Sequence, residues 1–189
     1  MGRDHTHYLE ARKLVDRQQY AEALPIFEKL ANAGDAHSQA FLGWMYYEGL
    51  GVGRNRETAI TWFERAAKLG SKEAAFYCGK IALGTRQYDE AAEWFHISAQ
   101  AAFGPALLWL GVMHARGLGR PTDLAKALTY LEQAKETGNF LARREIALLM
   151  VHGKLGIARI PLGLVLLLNS ILSGIVSAIL GNRSDELMG

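Results

Sequence analysis

Residues Gly34–Gly70 read GDAHSQAFLGWMYYEGLGVGRNRETAITWFERAAKLG. Two short apolar-periodic stretches flank a glycine-rich link, the pattern of helix, loop, helix. The same pattern returns downstream. GSKEAAFYCG begins at Gly70 and leads to YDEAAEWFHISAQA at 88–101, and AFGPALLWLGVMHARGLGRPTDLAKALTYLEQAKETG fills 102–138. Successive starts lie 36, 32 and 36 residues apart, and the short step reflects a link reduced to Leu83-Gly84-Thr85-Arg86-Gln87.

The units align position by position. Ser38, Ala74, Ala106 and Ala142 coincide, as do Gly43, Gly79, Gly111 and Ala147. In the second halves Ala23, Ala59, Ala91 and Ala127 coincide, followed by Phe27, Phe63, Phe95 and Leu131. Small residues at fixed positions, with one large apolar residue between them, predict two helices that cross closely. One such pair cannot bury its apolar face alone, so neighbours must stack. The boundaries read as units at about 8–34, 34–70, 70–102, 102–138 and a partial 138–156, a hydrophobic helix at 157–181 and a polar tail at 182–189.

Composition bounds the function. The chain has 189 residues, half of them hydrophobic, with 21 Lys+Arg against 19 Asp+Glu. That excludes a disordered chain, and balanced charge argues against nucleic acid as a partner. One cysteine, Cys78, excludes a disulfide framework, and its alignment with Leu42 and Leu110 makes it a buried small hydrophobe. The polar start gives no secretory signal. Of the six histidines, His5 and His7 lie near the N-terminus and His37, His96, His114 and His152 fall in different units at different repeat positions, so no metal site is expected. The Gly-x-Gly links join helix to helix rather than strand to helix, so they are turns and not phosphate loops. No catalytic grouping can be placed, and no cofactor or small-molecule substrate is expected.

Taken together, small-x-x-x-Leu-Gly-x-x-Tyr-x-x-Gly-x-Gly-Val followed by Ala-x-x-Trp-Phe-x-x-Ala-Ala-x-x-Gly resembles the Sel1-like repeat, a relative of the tetratricopeptide repeat. The resemblance covers about residues 8–156. It implies an all-α fold, an α/α solenoid of helical hairpins that binds other proteins without cofactor or catalysis. By the same analogy the first helix of each pair lines a concave groove. The groove then comprises His37, Ala40, Trp44, Tyr47 and Glu48, then Phe76, Lys80 and Leu83, then Leu108, Val112, Ala115 and Arg116. Leu141, Arg144, Leu148, Val151 and His152 complete it, giving an apolar surface with a basic rim. An apolar groove of that size calls for an apolar helical occupant, a partner segment or the chain's own C-terminus.

The C-terminal run IPLGLVLLLNSILSGIVSAIL, residues 160–180, carries no charge. As a helix it is roughly 30 Å long, a bilayer core. Three readings follow. The run can span a membrane, with Lys154 and Arg159 on the inner side, Ser170, Gly174 and Ala178 as a packing ridge, and Asn169 seeking a partner. It can instead be the second helix of a fourth unit, with Gly163 aligned to Ala59, Leu167 to Phe63 and Ser170 to Ala66. Third, it can lie on a membrane surface, although it lacks the charged face such helices carry.

The functional expectation is a non-enzymatic adaptor at the cytoplasmic face of the inner (plasma) membrane. It would position a membrane-associated protein partner, as in bacterial surface-polysaccharide systems. The alternative is a cytoplasmic inhibitor or immunity-type protein that uses the groove. Two apolar surfaces also allow self-association.

Overall fold

The computed structural model describes residues 2–156 and 159–172, with side chains from His5 onward. Gly174, Ala178 and the tail 182–189 lie outside the described residues. Among the described residues there is no strand. The helices are α1 (Gly2–Asp16), α2 (Tyr20–Asn32), α3 (Ala36–Glu48), α4 (Arg56–Lys68), α5 (Lys72–Gly84), α6 (Tyr88–Gln100), α7 (Gly104–Arg116), α8 (Leu124–Glu136) and α9 (Phe140–Val151). A further helix, α10, covers 160–172. The chain forms two compact units, Met1–Ala101 and Ala102–Gly189.

Unit 1 holds three antiparallel pairs, α1–α2, α3–α4 and α5–α6. Each helix packs on the next in chain order, and α3 also reaches α5. The expected close crossings are present. A Cβ built on Gly43 would sit 2.7 Å from Cδ1 of Phe63, and one on Gly79 would sit 2.6 Å from Cδ1 of Phe95. Glycine is needed there because the ring of the second helix occupies the space of a side chain on the first. Phe27, Phe63 and Phe95 are fully buried, as are Ala23, Ala59 and Ala91. Each buried ring is worth roughly 1.5–3 kcal/mol relative to exposure. Two of them stack on a ring of the following pair: Phe27 on Phe41 at 5.0 Å and Phe63 on Tyr77 at 4.9 Å. Both contacts recur at the 36-residue step. The expected burial of Cys78 holds too, at 4% exposure.

Side-chain caps define the helix starts. Asp35, Asn55 and Ser71 accept the backbone N–H of Ser38, Thr58 and Ala74 at 2.7, 3.0 and 3.2 Å, satisfying donors that the first turn leaves unpaired. The within-pair links before α2 and α6 lack a capping side chain and turn instead through Gln18 and Arg86, at φ +60° and +62°.

Unit 2 repeats the design. A Cβ on Gly111 would lie 2.7 Å from Cγ of Leu131, and Asp123 and Asn139 cap α8 and α9. In its last pair the small residue changes sides. Ala147 stands where the three preceding pairs have glycine, and the close approach falls on Gly163 of α10. A Cβ there would meet Met150 Cβ at 2.6 Å, Val151 N at 2.9 Å and Ala147 O at 3.0 Å. Gly163 is buried and Leu167 and Ser170 are half-buried, so α10 seats on α9 along the line that the repeat alignment assigns to a second helix. Among the described residues no helix is long and apolar enough to cross a membrane.

Candidate partner-binding groove and the C-terminal helix

First helices of the pairs line an open cavity of about 470 Å³ in unit 1. Tyr8 and Arg12 come from α1, His37, Ala40, Phe41 and Trp44 from α3, and Glu73 and Tyr77 from α5. The aromatic rings of α1, α2 and α3 form a connected belt. Tyr8 meets Phe41 edge-on at 6.3 Å, Phe41 meets Trp44 at 5.8 Å, and Trp44 meets Tyr20 at 6.4 Å. On the α5 side of the cavity a second set of ring contacts joins Tyr77 to Tyr47 and to Phe76, each at 5.8 Å.

Cations are held over these rings. The Arg12 guanidinium lies 4.6 Å from the Phe41 centroid, and its Nε is buried without a hydrogen-bond partner. The Lys80 ammonium lies 5.4 Å from Tyr77 and 5.9 Å from both Tyr47 and Phe76, within reach of a cation–π attraction at each. Burial, with Glu48 and Tyr47 nearby, raises the Tyr77 phenol above its ordinary range, so it stays a neutral donor. Burial pushes the Cys78 thiol up to about 12, with help from Glu64 and Glu90. It is no nucleophile at neutral pH.

Trp44, Tyr47, Glu48, Phe76 and Lys80 are thus brought to one aromatic and cationic surface, with Glu48 exposed at its margin. The sequence reading missed Tyr8, Arg12, Phe41 and Tyr77. For Phe41 and Tyr77 a signal existed, since they lie one repeat step apart and each follows its stacking ring at the same interval. For Tyr8 and Arg12 it did not, because the first pair diverges from the repeat.

In unit 2 the expected groove is corrected. Leu108 and Val112 are only 8% and 6% exposed, and Ala115 is buried with them. Ten of the thirteen residues of α7 are buried. The three that are not, Pro105, Trp109 and Arg116, share one stripe of the helix, and Leu108 and Val112 lie off it among the buried residues, so they belong to the core rather than to an open surface. Arg116 is exposed but ion-paired to Glu145 at 3.4 Å, tying α7 to α9. Arg144 and His152 are exposed and Leu148 is half-buried. The proposed packing residues divide as well. Gly163 is the contact with α9, whereas Asn169 and Ser170 line a cleft of about 690 Å³ with Arg143, Ile146 and Met150 of α9. No group of histidine, cysteine and acidic residues among the described residues could hold a metal.

Stacked helical pairs with a lined face define a helical-repeat interaction module. The family profile described as Sel1 repeat matches residues 36–71, 73–103 and 104–139, more than half of the chain. The protein therefore belongs to the Sel1 repeat family, an α/α-solenoid class of protein-interaction adaptors. Among solved structures it is similar to a Sel1 repeat protein from Oxalobacter formigenes, with 25% identity and a TM-score of 0.70. That match covers 78% of this chain and 60% of that one, so the chain spans less than two thirds of that protein's length. It is also similar in fold to MamA (residue 41 to the end) from Desulfovibrio magneticus RS-1. There the identity is 16% and the TM-score 0.60, over 90% of this chain and 94% of that one.

Proposed function

We propose that the protein is a non-enzymatic adaptor that binds a protein partner on the aromatic groove of unit 1 and works at the cytoplasmic face of the inner membrane. The apolar segment that starts at Ile160 keeps it there. The observation that carries this reading is the surface of α10, where Leu162, Leu164, Val165, Leu168, Ile171 and Leu172 are all exposed. A helix with so much uncovered aliphatic surface calls for a membrane or a partner to cover it. A bacterial surface-polysaccharide system is the kind of assembly such an adaptor would serve.

The test is fractionation of the full chain beside a version ending at Gly156, each washed with carbonate and then detergent. Full-length protein released only by detergent, with a folded and freely released truncation, is the expected result. The seat of Gly163 against α9 favours a second reading, a cytoplasmic inhibitor whose last repeat is closed by α10. That reading predicts a carbonate-released full chain and a truncation that melts early.

A further inference from the structure

Two basic side chains flank α10: Arg143 lines the cleft beside Leu166, Asn169 and Ser170, and Arg159 immediately precedes the helix. Between Gly138 and Leu172 the chain carries Arg143, Arg144, Lys154 and Arg159 against one carboxylate, Glu145. All four cations are exposed, and Glu145 is engaged by Arg116. The whole chain has a formal charge of only +2, so this cluster is a local concentration. Arg143 also borders the cleft between α8, α9 and α10, whose floor includes Ile146, Met150 and Leu166. The other cation of that cleft, Lys135, is paired with Glu132. Phe140, 59% exposed, stands at the same edge.

From this arrangement we propose that α10 and its neighbouring cations form a contact face for an anionic phospholipid bilayer. The aliphatic residues enter the acyl boundary, and Arg143 and Arg159 meet headgroup phosphates. An uncharged apolar helix lacks the polar face of a surface-lying helix, but here α9 and the link before α10 supply it. The seat of Gly163 holds the two together. A second copy of this chain fits the face poorly. Pairing two such faces would bring two sets of exposed arginines and lysines together, whereas an anionic surface attracts each of them, at roughly 1 kcal/mol per cation. The inference rests on the membrane reading above and names the lipid class that reading needs.

Flotation of the purified full chain with vesicles tests it. One set is phosphatidylcholine alone, the other phosphatidylcholine and phosphatidylglycerol at a ratio of about 3:1. Binding to the anionic vesicles should exceed binding to the neutral ones at least tenfold and should fall in high salt. Arg143→Gln and Arg159→Gln should each lower partitioning about fivefold, whereas Arg65→Gln on α4 should leave it unchanged. Val165→Asp with Leu168→Asp should abolish binding while the circular dichroism spectrum stays that of the parent. Equal binding to both vesicles, binding to neither, or a dimer that the double aspartate variant dissolves would overturn the proposal. A chain that is membrane-associated in cells but binds no vesicle would leave the adaptor reading standing and sink this one, since a protein would then be the recruiter.

Discussion

Gly79 shows how much one residue decides. A Cβ at this position would lie 2.6 Å from both Cδ1 and Cε1 of Phe95, too close for any carbon, and the ring is fully buried with no room to retreat. Gly79→Val should destabilise the protein by about 1–3 kcal/mol through overpacking, read as a lower midpoint in urea denaturation. A midpoint equal to the parent's would mean that the helices can part, and the crossing would not be the organising contact. The crossing is legible in the amino-acid sequence, because glycine and a large apolar residue recur there at fixed offsets. Ala102 is the converse. It stands where other units have Gly34, Gly70 and Gly138, and it adopts φ +51° without the freedom of glycine.

At the scale of an element, helix α8 begins on Asp123, whose carboxylate accepts the backbone N–H of Lys126 at 3.0 Å and faces the Lys126 ammonium at 3.6 Å. The hydrogen bond holds the carboxyl below the usual carboxylate range, with the charge of Lys126 adding to it. A group with a lowered folded pKa contributes stability above its unfolded value and loses it as pH falls through the folded value. Asparagine caps a helix as well as aspartate does but carries no proton to gain. Asp123→Asn should therefore melt close to the parent at pH 7 and show a shallower loss of melting temperature below about pH 4. Parallel curves from about pH 7 to about pH 3 would remove Asp123 from the acid response. Helix α7 carries the opposite lesson. Its apolar sequence suited a groove as well as a core, and burial chose the core.

At the scale of the molecule, Trp44 and Lys80 test the proposed adaptor groove. Replacing Lys80 with Ala removes a cation held over three rings, and replacing Trp44 with Ala opens the belt between Phe41 and Tyr20. Central aromatic and cationic residues dominate binding energy where they are anchors, so on the proposed adaptor reading crosslinking of the full chain to a protein partner in cells should drop about tenfold or more. Lys80→Ala should do so with little change in melting temperature. Undiminished crosslinking in both variants would move the binding surface elsewhere.

The all-helical fold and the close crossings could be read from residue order, because they depend on contacts within a pair, and a pair is written out contiguously. Which faces remain open could not be read in the same way. The groove assembles Tyr8 with Tyr77 and leaves Leu108 and Val112 in the core, and α10 buries Gly163 while exposing Leu168. Exposure depends on what packs over a helix from the next pair, and on which faces of α10 the α8–α9 pair leaves uncovered. That is a property of stacked neighbours rather than of any single stretch of chain.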